Sequence, residues 1–301
     1  MYQWIVNPIA GHHQGSQVVQ QFLDDRPDLK DQCFINYTKY EGHARRLASV
    51  ISSQNTEILI VVGGDGTLQE VLNRFIDIQN VPIAFIPTGT GNDFARGIGI
   101  TKRPLAQLNK VFSNSDRIKM KLGVMETECD IIRFTTSAGV GLDADVASVI
   151  NEQRFSKGRL ARIKYTSIYL RTLLKQIIFG KTKNLSLNVD GSCIRMNNTW
   201  LVTISILPYF GGGLKIAPEA DWSKNDLIIT TVEPINRWLL LGLLSTLFFA
   251  KHTRLKSVHT YHASAVTLDS EALLTYQVDG STGRAKWIEI GREIHFTTFL
   301  R

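Results

Sequence analysis

Asp65 stands in the run Gly63-Gly64-Asp65-Gly66-Thr67, which follows an apolar segment from Ile58 to Val62 and precedes a helical pattern. Glycines at this density allow backbone angles that a side chain forbids, so the run reads as a tight turn that presents one carboxylate. Thr67 and Glu70 fit a Thr-x-x-Glu capping box, which predicts a helix opening at this turn. Leu68, Val71, Leu72, Phe75 and Ile76 continue it at helical spacing. The free amides of a helix start seat a phosphate, and a carboxylate beside a phosphate calls for a divalent cation between them. The chemistry this predicts is nucleotide with Mg²⁺; a plain Gly/Asp turn is the alternative.

Two further loops have the same character. Asn7-Pro8-Ile9-Ala10-Gly11 follows the strand-like Tyr2 to Val6, and no Gly-Lys-Ser/Thr follows it, so it is not a Walker A loop. Pro87-Thr88-Gly89-Thr90-Gly91-Asn92-Asp93-Phe94-Ala95-Arg96 follows Ile83 to Ile86, and Thr90 or Asn92 there suits a helix cap with backbone N–H groups turned to an anion.

The elements that must position these loops alternate. Strands are expected at Tyr2–Val6, Phe34–Tyr37, Ile58–Val62 and Ile83–Ile86, with helices at Gly15–Asp25, Glu41–Gln54, Thr67–Gln79 and from about Asn92. Such alternation implies a doubly wound α/β sheet with ligands at the carboxyl ends of its strands. Beyond about residue 125 the texture becomes antiparallel β. Leu185, Leu187 and Val189 alternate before the hairpin signal Asp190-Gly191. Trp200–Ile206, Leu227–Val232, Ala265–Leu268, Leu274–Val278, Trp287–Ile290 and Ile294–Phe299 also read as strands. The expected domains are 1–124 and 125–301, with a boundary near Gly123 and an extreme C-terminus free to return to the first domain.

Bulk properties narrow the partners. Cys33, Cys129 and Cys193 are widely spaced and form no Cys-x-x-Cys, which speaks against structural zinc and a disulfide framework and for a reducing, cytoplasmic compartment. The N-terminal strand pattern has no basic flank, and no signal peptide is expected. The net charge is +7, yet residues 154–183 alone hold nine Lys or Arg and no Asp or Glu, so the rest of the chain is slightly acidic. Within that stretch Leu170, Leu173, Leu174, Ile177 and Ile178 form an apolar stripe, so the segment reads either as a basic amphipathic helix on an anionic membrane or as a core helix with a solvated face. Aromatic residues are not interleaved with the cations, so no nucleic-acid partner is expected. The run Trp238–Ala250 is too short to span a bilayer; a buried helix is the favoured reading and contact with the membrane interface the secondary one.

Asn-Pro-x-Ala-Gly, Gly-Gly-Asp-Gly-Thr and Gly-Thr-Gly-Asn-Asp-Phe-Ala-Arg, in this order, resemble the diacylglycerol kinase catalytic-domain family, whose members include bacterial soluble lipid kinases and the sphingosine and ceramide kinases. Gly139-Val140-Gly141-Leu142-Asp143-Ala144, the segment from Phe210 to Pro218, and Gln277-Val278-Asp279-Gly280 look like family segments too. The resemblance implies an α/β nucleotide domain, a C-terminal β-sandwich-like domain, an active site in the cleft between them, ATP as co-substrate and Mg²⁺. The nucleotide positions it implies are Asn7, Pro8, Ile9, Ala10, Gly11, Thr38, Gly63, Gly64, Asp65, Gly66, Thr67, Leu68, Gln69 and Thr90, with Asn92 and Asp93 in the same loop as Thr90. Asp65 would hold the catalytic Mg²⁺. A bacterial branch has a second Mg²⁺ loop, whose pattern falls on Asp226 and on the carbonyls of Ser223 and Ile228.

Two departures from the family pattern stand out. Asp279-Gly280-Ser281 replaces the usual Asp-Gly-Glu, leaving Ser281, or Asp279 if the loop turns it inward, where a base is expected. Lys121 stands where the family often has an Asp of the Mg²⁺ network, and Asp116 is five positions early. The first reading is an ATP-dependent lipid kinase acting on a lipid hydroxyl, most plausibly diacylglycerol, giving phosphatidic acid, held through residues 154–183 on anionic lipid at the inner face of the membrane. A catalytically weakened nucleotide- or lipid-binding homologue is the second. An NAD kinase, which shares Gly-Gly-Asp-Gly but needs a dinucleotide motif not found here, is the third. A homodimer is compatible with all three.

Overall fold

The structure, a computed structural model, describes residues 1–51, 55–101, 103–113, 115–157, 165–247 and 250–301, and within these the side chains of all but 12, 153–157, 165–170, 244 and 245. The chain divides into two compact units. One gathers Met1–Leu122, Gly211–Gly213 and Glu293–Arg301; the other comprises Gly123–Phe210 and Leu214–Arg292.

In the first unit β1 (Tyr2–Val6), β2 (Cys33–Tyr37), β3 (Ile58–Gly63) and β4 (Ile83–Pro87) alternate with α1 (Ala10–Asp25), α2 (His43–Val50), α3 (Asp65–Leu72) and α4 (Asp93–Ile98). α5 (Pro104–Ser113) and β5 (Arg117–Met120) follow. The sheet runs β2-β1-β3-β4 in parallel and is then joined by β18 (Thr297–Leu300), which lies parallel to β4 and antiparallel to β5. Nearly every residue of β3 and β4 is buried, which explains their unbroken apolar sequences: helices cover both faces. Trp4, Val6, Ile60 and Val62 pack with Phe22 of α1 and Leu108 of α5 on one face. Strand order reverses between β1 and β3, and the loops leaving such a switch point open a crevice.

Three helix starts differ from expectation, α2 among them at His43 rather than Glu41. α1 begins at Ala10 rather than Gly15. α3 begins at Asp65 with Gly64 as N-cap and no side-chain cap, and it ends at Leu72 instead of Gln79. The capping box does not form, because both its members serve other loops. Thr67 Oγ1 accepts from Asn7 Nδ2 (3.2 Å), and the Glu70 carboxylate accepts from the amides of Gly42 and Arg45 at the start of α2 (3.1 and 3.4 Å).

The second unit is built on β6 (Gly123–Thr127), β7 (Ile131–Phe134), β8 (Ser137–Gly141), β9 (Lys183–Val189), β10 (Ser192–Thr199), β11 (Leu201–Ser205), β14 (Leu227–Val232), β15 (Val258–Ala263), β16 (Val266–Val278) and β17 (Ser281–Arg292). Their order is β15-β14-β11-β8-β16-β17-β6-β7, all antiparallel, with the β9–β10 hairpin joined to the first residues of β16 in a sandwich-like arrangement. A small ribbon pairs β12 (Tyr209–Phe210) with β13 (Leu214–Lys215). Ala265–Leu268 and Leu274–Val278 form one strand, β16, whose register shifts between Asp269 and Leu274. Asp190-Gly191 and Asp279-Gly280 both adopt positive φ at both residues, as two-residue hairpin turns require. Helices α6 (Leu142–Lys157), α7 (Tyr165–Phe179) and α8 (Arg237–Leu247) enclose a core with Trp200, Ile228 and Val232. Of the apolar run 238–250, residues 238–247 lie in α8, buried along Leu240, Leu243 and Leu247, and residues 248–249 lie outside the described residues. No helix of the described residues is long and apolar enough to cross a membrane.

Candidate active site

The loops after β1, β3 and β4 close on one another within the first unit. A Cβ on Gly11, whose φ is +56°, would lie 1.9 Å from the Thr88 carbonyl oxygen, so the first loop passes directly against the third. A Cβ on Gly89 would lie 2.6 Å from the Cα of Gly64, so the second and third loops are in backbone contact. The Thr88 amide donates to the Gly63 carbonyl (2.8 Å), and the Thr38 amide to that of Val6 (2.8 Å), bringing the end of β2 to the same rim. Only glycine permits these approaches.

Asp65 is the acidic group at this convergence. It opens α3, and its oxygens accept the amides of Asp93 (3.1 Å) and Phe94 (3.3 Å) at the start of α4. One carboxylate therefore sits at two helix N-termini, where negative charge is stabilised. Asp93 extends the network: it accepts Arg96 Nη1 (2.6 Å) and the Gly212 amide (2.7 Å). A Cβ on Gly213 would lie 2.7 Å from the Arg96 guanidinium, so the glycine triplet 211–213 is shaped to cover that ion pair. On the flank of Asp65, Gly91 keeps space that a Cβ would narrow to 3.2 Å, and a Cβ on Gly66 would meet nothing within 4 Å. The Thr88 hydroxyl and the Asn92 side-chain oxygen are buried without a partner.

These features fit a polyphosphate with a divalent cation. The glycines leave a cradle, two buried polar atoms await a partner, and a carboxylate's four lone-pair sites accommodate both amides and a cation. No group of three or more acidic, His or Cys side chains that could hold a metal occurs among the described residues. Asp65 supplies one carboxylate, and Mg²⁺ takes one or two carboxylates and completes its shell with phosphate oxygens and water.

Comparison with known proteins agrees with this geometry. Residues 2–125 match the family described as diacylglycerol kinase catalytic domain, and residues 136–286 match the YegS C-terminal NAD kinase β-sandwich-like domain. "Putative lipid kinase YtlR" of Bacillus subtilis is 30% identical over 292 residues, covering 93% of each chain. This chain belongs to the diacylglycerol kinase catalytic-domain family of lipid kinases. A protein named diacylglycerol kinase from Mycobacterium tuberculosis is 28% identical over 289 residues, 90% of this chain and 86% of that protein. The fold is also that of a crystal structure described as a diacylglycerol kinase from Bacillus anthracis, with a TM-score of 0.74 at 18% identity over 99% of this chain and 96% of that one.

The other positions that family resemblance singled out are disposed unequally. Pro8, Ile9 and Ala10 form the partly exposed turn into α1, and Thr90 is exposed on the third loop. Thr67, Leu68 and Gln69 are buried in the first turns of α3, with the Thr67 hydroxyl accepting from Asn7. Lys121 Nζ lies over the Phe296 ring, 5.4 Å from its centroid. Asp116 faces Arg301 (3.6 Å) and Lys110 (3.8 Å), and its backbone exchanges two hydrogen bonds with that of Arg301, so it anchors the C-terminus.

In the second unit Ser281 is exposed at the first position of β17. Asp279 accepts five hydrogen bonds: the amide and hydroxyl of Thr135 (2.6 and 2.9 Å), those of Thr136 (2.9 and 2.5 Å) and the Ser137 amide (3.2 Å). A carboxylate spent in this way fixes the β7–β8 turn against the β16–β17 turn. It does not suit the task of proton acceptor expected of it.

The expected second cation loop also departs from its pattern. Ile228 lies in β14 between Ser205 and His262 of the neighbouring strands, inside a hydrogen-bonded ladder. Arg292 donates to the carbonyls of Lys224 (3.2 Å) and Asp226 (3.5 Å), and the Asp226 carboxylate faces His262 Nδ1 at 3.5 Å. Burial lowers the Arg292 guanidinium to about 10, and Asp226 opposes the shift. Ser223 binds Asp221 through its amide and hydroxyl (2.9 and 2.8 Å). Arg292 thus holds the carbonyls of Lys224 and Asp226, neither of them the Ser223 or Ile228 carbonyl that the resemblance implies, and it sets a positive charge beside the Asp226 carboxylate.

Asp143 was visible in the sequence as an acid inside an apolar run but had no assigned role. Burial pushes its carboxyl up to about 7, Asp145 adds to the shift, and the Ala144 amide and Gln277 side chain oppose it. The Ala144 amide (2.8 Å), Gln277 Nε2 (3.2 Å) and Thr203 Oγ1 (3.4 Å) are its partners.

Proposed function

We propose that this lipid kinase transfers the γ-phosphoryl group of ATP to the free hydroxyl of diacylglycerol, with Asp65 holding the Mg²⁺ that accompanies the nucleotide. The names of the relatives at 30% and 28% identity support a lipid acceptor, and the second of them supports diacylglycerol. The observation that carries the reading is the position of Asp65, shared between the starts of α3 and α4 beside three glycine-lined strand ends.

Phosphoryl transfer has a loose transition state, so positioning and charge neutralisation supply most of the acceleration. Glycines at 11, 64 and 89 let the three loops close into a backbone cradle. The dipoles of α3 and α4 favour the charge that develops on the transferring group. Mg²⁺, when bound, would neutralise charge on the β- and γ-phosphate oxygens. Asp93, Arg96 and Gly212 hold the first turn of α4, and through it the amides that orient Asp65. Asp279 acts in this reading as a positioning residue and not as the acceptor of the hydroxyl proton.

The test is transfer of labelled phosphate from ATP to mixed lipid vesicles, with a panel of lipid alcohols and with Mg²⁺ present or chelated. The expected result is Mg²⁺-dependent labelling of diacylglycerol above every other lipid. Labelling of a different lipid would overturn the substrate, and tight ATP binding without turnover on any lipid would overturn the reaction.

A further inference from the structure

Helix α7 carries apolar side chains on two faces. Leu173 and Ile177 are buried in the core of the second unit, whereas Leu174, Ile178 and Phe179 are exposed, Phe179 to 74%. The first turn of α8 repeats the pattern: Leu240 and Leu243 are buried, while Trp238 is 77% and Leu239 66% exposed. Arg237 ties the two helices together. Its guanidinium donates to the carbonyls of Ile177 and Gly180 at the end of α7 and lies over the Trp200 ring. Asn236 Oδ1 accepts the Trp238 amide (2.9 Å) and fixes the first turn of α8. Phe179 is thus held at the same helix junction as Trp238 and Leu239.

Single exposed apolar residues are ordinary, but three large ones gathered at one junction mark a binding surface. The charge on the two segments that carry them is positive, and Glu233, just before α8, is paired with His259. Residues 171–183 and 234–256 contain no Asp or Glu, and Arg171, Lys175, Lys181 and Lys251 are exposed. Lys183 is engaged elsewhere, with Asp145 at 2.9 Å. A second copy docking face to face would set these cations against themselves. An anionic bilayer offers both an apolar layer for the rings and headgroups for the rim.

We propose that the junction of α7 and α8 is a membrane-docking edge: Phe179, Trp238 and Leu239 enter the boundary between headgroups and acyl chains of an anionic bilayer, and Arg171, Lys175 and Lys181 hold its headgroups. The proposal rests on the lipid-kinase reading for the reason the protein visits a bilayer, and it adds the surface by which it does so.

The experiment uses the full chain with vesicles of phosphatidylcholine alone and of phosphatidylcholine and phosphatidylglycerol in equal parts. Co-sedimentation and tryptophan emission report binding, thermal melting reports folding, and phosphate transfer to a detergent-dispersed, short-chain diacylglycerol reports catalysis apart from docking. The parent is expected to bind the anionic vesicles with a blue shift in emission. The F179S/W238S double variant should bind them at least ~30-fold more weakly, given the apolar area withheld from the bilayer, while melting and transferring phosphate like the parent. K175Q/K181Q should weaken binding mainly at low salt. Unchanged vesicle affinity in F179S/W238S would overturn the docking edge, whatever the kinase assay shows. So would a parent dimer that this variant dissociates without any change in vesicle binding. Absence of transfer from the parent to the dispersed lipid would instead count against the kinase reading and leave the vesicle result to stand on its own.

Discussion

Asp65 has a structural task before it has a catalytic one, because its two oxygens receive amides that open α4. Asp65→Ala would remove an acceptor for both amides as well as the charge, and would mix a folding effect with a catalytic one. Asp65→Asn keeps one acceptor oxygen and removes the charge. It is expected to lower the melting temperature slightly and to cut phosphoryl transfer by about 10²–10³-fold, the scale of losing a preorganised charge at a reacting centre. Transfer near the parental rate would remove Asp65 from the cation site. Asp143 poses the converse case, a carboxyl that the fold prefers neutral. Its folded pKa of about 7 lies above the ordinary 3.8, so between these values the folded state binds the extra proton. This contribution to stability is complete below about pH 4, declines as pH rises to 7 and is level beyond. Asp143→Asn should abolish the decline and exceed the parent in stability at pH 8 by on the order of 2–4 kcal/mol. Denaturant midpoints at pH 5 and pH 8 check this; a parent as stable at pH 8 as at pH 5 would show that Asp143 carries no such strain.

At the scale of elements, the loop 221–226 is stapled by Arg292 of β17, and the consequence is measurable. Mg²⁺ without nucleotide should leave the thermal midpoint of the protein unmoved. Arg292→Met should lower stability by about 1–3 kcal/mol, because the carbonyls of Lys224 and Asp226 lose their donor. A midpoint that rises with Mg²⁺ alone would restore a cation to this loop. The loop also shows what a sequence conveys and what it withholds. Strand ends marked by glycine-rich turns were legible, because backbone geometry is written in local residue types: Gly63 to Gly66, Gly89 to Gly91, and the Asp-Gly turn at 190. Partners distant along the chain were not. Glu70 looked like a cap for its own helix, yet it receives amides of Gly42 and Arg45. Asp279 looked available as a base, yet residues 135–137 supply five donors to it. The glycine triplet 211–213 read as a family segment, and its fit over the Asp93–Arg96 pair depends on a contact made more than a hundred residues away. A side chain's identity states what it can bond, and only tertiary structure states with what.

At the scale of the molecule, the first unit is not contiguous. Its sheet needs β18, which joins β4 to β5, and among the described residues β5 pairs with no other strand. Phe299 and Leu300 are buried, and Phe299 packs on Phe94 with ring centroids 4.8 Å apart, directly behind an amide that holds Asp65. The chain therefore has to pass through the whole antiparallel unit before the nucleotide-binding candidate is complete. A fragment of residues 1–124 would leave the side of β4 unpaired and would lack both the cover of Phe94 and the Gly212 amide on Asp93. An exposed buried-type strand edge of this kind favours association over folding. That fragment is expected to show no cooperative denaturant transition and to aggregate, even though it spans nearly the whole matched catalytic segment. Within the intact chain, Phe299→Ala should cost about 3–5 kcal/mol through the cavity it leaves. It should also speed hydrogen exchange at the Asp93 and Phe94 amides more than at the amides of β1, because the lost contact lies behind α4. A fragment that unfolds cooperatively, or exchange that rises equally in both places, would mean that the returning strand is an appendage to this unit and not part of its frame.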